Sequence, residues 1–536
     1  MIPLGGRPRF SDSLLWEWQR QYFLERGVRA WALDEVPSHV TNSPVLAQAY
    51  AEMVFAFLRD WTRNASEEAG RRAVTICELG SGSGRFAYHF LTRLSQLEHA
   101  NGVAVPRWRY VLTDFVPGNQ GFWLGHPKLR RFVDKGVLDV AVFDADQPAP
   151  LTLRHSGVTL GADGQARDEP VVLIANYFFD SIRQELLYFG DDRCDQVLLS
   201  LFGDQCPPDV SPGDALGRIS CVLDYEPFEA PYFHEPCLNQ LVDHYRSVLS
   251  DAHVLLPSTG LRCLRHFQDM SSGALLVLAA DKGDHSVATL AQAGPPAIVH
   301  HGSVSLPVNF HALRFYCEQQ GGLALVPTRS SAAFEVVGLL FTDAPQDYTL
   351  TRQAYERTID SFGPGDVHAL VKHAAASAGS MPIEAVLASL RMAAYDPHLG
   401  CWLLARMQEL GPQLSDSERR AVRDAADALW ECHFPIGEAV DLADGLARVL
   451  YGIGDYGASL TYFERSVEMF GPYTGTLCNM AYCLQLLGLH EEAQGLLRGV
   501  LDQDLGNEQA AAILATFMAE ADAAGCRDPA PDATSV

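Results

Sequence analysis

The stretch Val74-Thr75-Ile76-Cys77-Glu78-Leu79-Gly80-Ser81-Gly82-Ser83-Gly84 constrains this chain more tightly than any other. A short apolar run closed by an acid reads as a buried strand, and glycine at every second position breaks it into a tight loop. The helix-compatible stretch from Arg85 to Leu97 follows. Glycines at 80, 82 and 84 allow positive φ and let a ligand come close to main-chain N–H groups. A dinucleotide fingerprint would place its third glycine where Arg85 stands, and here an acid sits two residues ahead of the loop. The loop is therefore a candidate small-molecule cradle, with a structural glycine turn or another nucleotide site as the alternatives.

The pattern of two apolar residues, an acid, and glycines at alternate positions resembles motif I of class I S-adenosylmethionine-dependent methyltransferases. The resemblance implies S-adenosyl-L-methionine as cofactor, with Glu78, Gly80, Ser81, Gly82 and Gly84 serving its methionine end. The remaining periodicity agrees. Arg109–Asp114, Leu138–Asp146, Pro170–Ala175 and Ala274–Ala280 are apolar strand candidates separated by amphipathic helices, and Leu323–Pro327 and Phe334–Phe341 follow a helical stretch near Phe310–Glu318. Such alternation predicts an α/β fold with a parallel sheet covered on both faces. Seven strands ending in a hairpin-like pair are what a Rossmann-like methyltransferase sheet needs.

Ligands in open α/β sheets bind at the carboxyl ends of the strands, so acids there are informative. Asp114 is placed to accept hydrogen bonds from ribose hydroxyls. Asp144 or Ala145 meets the adenine, with Asp146 as a competitor. Nearly a hundred residues separate the fourth and fifth strands, longer than an ordinary crossover. Within them an insertion over about 190–260 carries a hairpin-like pair, Gln196–Phe202 and Arg218–Tyr225, and a helix from Glu235 to Leu249; it is expected to cap the catalytic edge.

The fourth strand runs into Asn176-Tyr177-Phe178-Phe179-Asp180-Ser181. Ala175 to Asp180 resembles the Ala-Asn-Glu-Phe-Phe-Asp signature of the MidA family, which includes the mitochondrial complex I assembly methyltransferase that modifies a protein arginine. Tyr110–Gln120 and Val308–Leu313 are similar to the same family, and the likeness covers roughly residues 30–345. It implies catalytic roles for Asn176, Tyr177 and Asp180, and no metal. Tyr177 stands where the family carries glutamate, and Arg183 interrupts the usual continuation. Arginine methylation calls for carboxylates that orient the guanidinium and take its proton, so Asp180 and Glu185 would have to supply them, or Tyr177 would position an oxygen or a neutral nitrogen instead.

The rest of the chain divides readily. Residues 1–70 read as an N-terminal helical segment: Ser11-Asp12-Ser13 can cap Leu14–Glu25, and Ser43-Pro44 can start a helix through Trp61. Its stripe of Leu46, Tyr50, Met53, Val54, Phe57 and Leu58 is core, or alternatively a lid over the cofactor. The methyltransferase domain spans 71–345. Over 346–521 the pattern is helical, with turns at Gly454-Asp455-Tyr456 and Gly488-Leu489-His490 spaced 34 residues apart, which resembles the tetratricopeptide repeat and implies an all-α domain recruiting a protein or peptide. Residues 522–536 read as a disordered tail.

A net charge of −26 and a pI near 5.0 disfavour nucleic acid or an anionic membrane as partner. Twelve cysteines without a Cys-x-x-Cys pair, and no leader-like or membrane-length apolar run, give a cytoplasmic expectation with reduced thiols. His285 and His300-His301 lie in a glycine- and proline-rich stretch expected to be solvated. Three functional classes follow: a methyltransferase acting on a protein side chain, an interaction or assembly protein on a degenerate methyltransferase scaffold, and a small-molecule methyltransferase.

Overall fold

The computed structural model describes residues 2–67, 72–102, 105–161, 169–191, 193–203, 216–271, 273–329 and 334–525. The chain divides into two compact units, Met1–Val367 with Phe434–Gly437, and His368–His433 with Glu438–Val536.

The first unit is built on seven strands: β1 Val74–Leu79, β2 Trp108–Asp114, β3 Leu138–Val142, β4 Val171–Asn176, β5 Leu275–Asp281, β6 Leu323–Leu325 and β7 Glu335–Phe341. Their order across the sheet is β3-β2-β1-β4-β5-β7-β6. All neighbours are parallel except at β7, which runs antiparallel to both β5 and β6. This is the methyltransferase-like α/β arrangement the strand pattern predicted. Every residue of β1, β5 and β7 is buried, because helices cover both faces and leave no solvent side for polar residues to alternate onto. On one face Ile76, Val172, Ile174 and Leu276 pack with the apolar side of helix Pro44–Asn64 and with helix Arg85–Asn101. On the other Cys77, Leu173 and Val277 meet helices Pro236–Val248, Ser258–Met270 and Phe310–Gln319. Because β1 is flanked by β2 and β4, the chain order reverses beside it and a crevice opens at its carboxyl end.

The three helices that frame this crevice are α1 Leu14–Arg26, α2 Pro44–Asn64 and α3 Arg85–Asn101. Ser43 accepts from the Leu46 N–H at 3.2 Å and Pro44 occupies the first turn, so α2 begins where the sequence placed its start. Its stripe Leu46, Tyr50, Met53, Val54, Phe57 and Leu58 is fully buried, which makes α2 core and leaves the covering of the crevice to α1 and the residues after it. β3 stops at Val142, short of the expected Asp146, because Phe143 turns to donate to the Asp114 carbonyl and Asp144 and Gln147 close a turn.

The insertion folds as a separate antiparallel sheet. Strands Glu185–Gly190, Arg193–Gly203, Ile219–Pro227 and Ala252–Leu256 join with Ile2–Pro3 from the amino terminus. Residues 204–215 of the expected hairpin connection lie outside the described residues. Leu186, Val197, Leu199, Leu201 and Leu255 of this sheet share a core with Phe10, Leu15, Trp16 and Tyr22 of the N-terminal segment. The insertion is thus the platform on which α1 rests.

The expected boundary at 345 moves to Val367. The reason is local: Asp60 of α2 is wholly buried and takes both the backbone N–H of Thr351 at 2.8 Å and its hydroxyl at 2.9 Å, while Tyr348 stacks on Phe57. Residues 434–437 also belong to the first unit, where Phe434 stacks on His126 at 3.7 Å and its carbonyl accepts from Arg85 at 3.0 Å.

The second unit is all helical. Helices Leu442–Gly452, Tyr456–Phe470, Thr474–Leu486, His490–Gln503 and Glu508–Gly525 pack each on the next, with Leu446, Ala447, Leu450, Ser459, Phe463 and Ser466 buried and Ala481, Ala493, Leu497 and Val500 equally so. The last helix continues to Gly525, inside the segment expected as tail, and 526–536 lie outside the described residues. Among the described residues no helix is long and apolar enough to cross a membrane.

Removing the hydroxyl that satisfies Asp60 tests the displaced boundary. Thr351→Val keeps the shape of the side chain and is expected to lower stability by about 1.5–3 kcal/mol, the cost of a lost hydrogen bond to a buried charge. Chemical denaturation of the first unit's transition measures it.

Candidate functional site

The crevice begins with a knot of hydrogen bonds where β1 ends. Ser81 donates its N–H to the Thr113 carbonyl at 2.8 Å and its hydroxyl to the Glu78 carbonyl at 3.1 Å, and the same hydroxyl accepts from the Thr113 N–H at 3.1 Å. Thr113 Oγ1 also donates to the Glu78 carbonyl at 2.7 Å. These bonds fasten the loop to β2 and fix the direction in which its glycines turn. Gly80, Gly82 and Gly84 take φ of 60°, 52° and 76°, a region that only glycine occupies without strain.

The absent side chains leave room for aromatic rings. A Cβ on Gly80 would lie 3.3 Å from Phe178, one on Gly82 2.8 Å from Trp31, and one on Gly84 2.9 Å from Trp123. Trp123 also donates its indole N–H to the Gly82 carbonyl at 3.0 Å. The loop is thereby held between two tryptophans.

Two adjoining cavities open over this loop. The first is walled by Glu78, Gly80, Ser81, Gly82, Asn176, Tyr177 and Asp180, with Lys282 and residues of the N-terminal segment. The second is walled by Gly80, Asp114, Phe115, Phe143, Asp144, Ala145, Asp146 and Tyr177, with Arg20 and Arg183. Ten of the eleven residues singled out from the sequence therefore face one continuous crevice. Gly84 lines neither cavity; it caps α3 in a left-handed conformation.

The carboxylates here are raised above their ordinary range. Burial drives Glu78 up to about 8, even though Tyr110 donates to it at 2.8 Å, and Asp114 adds repulsion. Asp114 rises to about 6 for the same reason, opposed by the Val116 N–H at 3.0 Å and the Asn119 amide at 3.1 Å. Asp144 is part exposed and forms an ion pair with Arg20 of α1 at 2.6 Å, while Arg183 pairs with Asp146 at 2.9 Å. Those two arginines join the N-terminal segment and the loop after β4 to the side of the crevice that Asp144 and Asp146 line.

At the end of β4 the backbone makes a sharp departure. Tyr177 has φ 47°, unusual for a residue with a side chain, and its N–H donates to the Ala280 carbonyl of β5 at 2.9 Å. Both side-chain polar atoms of Asn176 are shielded from solvent and have no partner. An amide left in that state costs desolvation with nothing returned, and because Asn176 lines the first cavity a ligand there can supply the missing partners.

Asp180 is 5% exposed and Asp281, the last residue of β5, is completely enclosed. The Asp180 N–H donates to Asp281 Oδ2 at 3.3 Å, the Lys282 N–H to Asp281 Oδ1 at 3.0 Å, and Ser181 Oγ to Asp180 Oδ1 at 2.6 Å. Burial raises both acids; Asp180 further opposes ionisation of Asp281, while a hydrogen bond from Asp281 and the Lys282 charge favour the ionised form of Asp180, so the proton the pair shares rests on Asp281. Asp281 was missed in the sequence although it follows the same strand-end rule that found Asp114. Glu185 lies outside both cavities, and its neighbour is Arg9 at 3.3 Å. Glu335, paired in register with Asp281, takes His285 at 2.8 Å, so His285 is largely enclosed where solvation was expected.

The roof comes from the N-terminal segment, on which no sequence signal bore. Trp16, Gln19, Arg20, Phe23 and Trp31 reach over the crevice. Gln19 is buried and locks α1 down, donating to the Ser181 carbonyl at 2.9 Å and accepting from the Val304 N–H at 3.0 Å. Among the described residues, none of the insertion between 190 and 260 lines either cavity. The expected cap acts at one remove, through the shared core beneath α1.

No family model and no curated protein matches this chain. Two solved structures from Burkholderia thailandensis, both of one superfamily, are similar at 12% identity. An uncharacterised protein aligns over 64% of this chain and 90% of its own with a TM-score of 0.40. A candidate methyl transferase bound to S-adenosyl-homocysteine aligns over 63% and 95% with a TM-score of 0.35.

Glu78 gives a directly measurable consequence. A carboxyl whose folded pKa of about 8 exceeds its unfolded value near 4.5 contributes stability that is complete below 4.5 and is lost as pH rises through 8. The melting temperature of the ligand-free protein is expected to fall between pH 5 and pH 8.5, and to fall less in Glu78→Gln, where nothing ionises. Differential scanning calorimetry across that range checks both.

Proposed function

We propose that the protein is an S-adenosyl-L-methionine-dependent methyltransferase. The observation that carries the reading is the unpartnered Asn176 amide, which lines the first cavity together with the glycine loop. The residues fit the cofactor. Asp114 lines the second cavity where ribose hydroxyls would meet it, Phe115, Phe143 and Ala145 offer apolar wall for adenine, and Glu78 and Ser81 stand at the methionine side. Asp144 answers to Arg20 and is the weaker partner for adenine.

Bound there, the cofactor supplies an activated sulfonium methyl. What remains for the chain is to align an incoming nucleophile, for which orientation alone can be worth an effective molarity on the order of 10⁵ M. Asn176 orients the acceptor through its free amide. As the new bond forms, the acceptor's proton passes to Asp180, whose charge Asp281 shares through their common proton. Tyr177, part-buried and with its pKa raised by desolvation and by Asp281 and Asp180, stays protonated and acts as a hydrogen-bond donor or a wall.

A protein side chain, arginine included, is the acceptor class we favour. Asp180 lines the first cavity and Asp281 lies enclosed behind it, so a carboxyl group with a buried acid in support remains at a site that lacks the family glutamate at Tyr177. The tetratricopeptide-like helices are then the recruiting element, supported by large apolar side chains left at the surface of the second unit: Tyr473 62%, Leu486 50% and Leu505 90% exposed. One observation favours the second reading, an interaction or assembly protein: Trp31 already packs on Gly82, where a cofactor cradle would be open.

Isothermal titration calorimetry with S-adenosylmethionine is expected to show binding that Asp114→Ala weakens about tenfold, the loss of one or two hydrogen bonds to the ribose, while Asn176→Ala keeps that binding and lowers methyl transfer. No heat and no thermal shift at millimolar cofactor would overturn the methyltransferase reading. Tritiated methyl transfer in lysate, with Gly82→Arg as the filled-loop control, then separates acceptors: label on a protein band supports the side-chain reading, and label in the small-molecule fraction replaces it.

A further inference from the structure

Five residues belong to the walls of both cavities: Phe23, Trp31, Gly80, Tyr177 and Ser181. None carries a formal charge, and three are aromatic. The charged groups lie to either side, Glu78, Asp180 and Lys282 around the first cavity and Asp114, Asp144, Asp146, Arg20 and Arg183 around the second. A ligand spanning the crevice passes its midpoint through an aromatic neck.

The neck is built. Phe23 and Trp31 stack with centroids 5.9 Å apart and planes 24° from parallel, and Phe115 meets Phe23 edge-on at 6.3 Å. The Trp31 ring lies against the backbone of Gly82. Arg20 sits over the Phe115 ring at 4.6 Å while bound to Asp144, which holds α1 in place beside it. From the opposite wall Tyr177 is fixed by its left-handed backbone and by edge contact with Phe334 at 6.3 Å.

We infer that Phe23, Trp31 and Tyr177 form an aromatic neck that reads the positive charge of the sulfonium, so that the crevice prefers the charged methyl donor to its neutral demethylated product. The inference rests on the methyltransferase reading and deepens it. S-adenosylmethionine has its nucleoside at one end and its amino acid at the other, and its charge between them. With nucleoside and amino-acid groups assigned to the two cavities, the sulfonium falls at the neck, where no carboxylate lines both walls. Ring faces attract a cation through their quadrupole, by about 0.5–1 kcal/mol when exposed and about 2 kcal/mol or more when desolvated. Losing the methyl group removes the charge and that attraction together. The neck therefore loosens its hold on the product, and because two of its rings sit on the N-terminal segment, the roof is held down more firmly by donor than by product.

Calorimetric titration of the full chain with three probes tests this: S-adenosylmethionine, S-adenosylhomocysteine, and sinefungin, in which an ammonium replaces the sulfonium. The wild type is expected to bind both cations more tightly than the neutral thioether. In Trp31→Leu the two cations are expected to lose about 5- to 30-fold in affinity, the span of 1–2 kcal/mol, and the thioether less than about twofold. Retained thioether binding certifies that the variant is folded. Should Trp31→Leu fail to fold, Phe23→Leu and Trp31→Phe carry the same test with smaller shifts, and the ranking of the three probes decides it. An equal loss for all three probes would overturn the charge reading and leave apolar packing alone. Binding of none of them to the wild type would overturn the methyltransferase reading itself, a separate outcome.

Discussion

The site depends first on the hydrogen-bond knot between the ends of β1 and β2. Glu78 and Thr113 are buried, so their main-chain groups must find partners within the protein, and the Ser81 hydroxyl supplies them by accepting from one strand and donating to the other. That one side chain converts a flexible glycine loop into a fixed ledge. The positions of Asp114, the residue after Thr113 on β2, and of the α3 amino terminus follow from it.

Around that ledge the protein accumulates unpaired acid. Glu78, Asp114, Asp180 and Asp281 are all raised by burial, a state that weakens the fold as pH rises and that a cationic ligand would relieve. The ion pairs Arg20–Asp144 and Arg183–Asp146 lie on the more exposed side, where such pairs contribute little stability but can set the position of mobile elements. Neutralised acids outside and unneutralised acids inside describe a crevice suited to a ligand with a positive centre.

The strands and their order of succession were legible because burial on both faces leaves near-continuous apolar runs, and the strand-end rule carried Asp114, Asn176 and Asp180 to the crevice. It would have carried Asp281 as well. The N-terminal roof was not legible: Phe23 and Trp31 sit in a stretch whose aromatic content resembles any amphipathic helix, and nothing in their spacing says that they meet residues near 80 and 177. The glycines were read for ligand approach, yet at Gly82 and Gly84 the space freed is filled by indole rings. Both kinds of demand select glycine, and sequence alone does not distinguish them.

By itself the sequence determined the alternation of strand and helix, the acid and glycine pattern at the end of β1, and the change to helical pairs near the carboxyl end, since each is a matter of local periodicity and backbone preference. Only the tertiary structure decided which faces met: that α2 is core and α1 is roof, that the insertion supports the roof from beneath, that Thr349–Tyr355 stays with the first unit to satisfy Asp60, and that two carboxyls from β4 and β5 share one buried site. Those outcomes depend on contacts between residues a hundred or more positions apart, such as Asp180 with Asp281, and long-range packing leaves no local periodic trace.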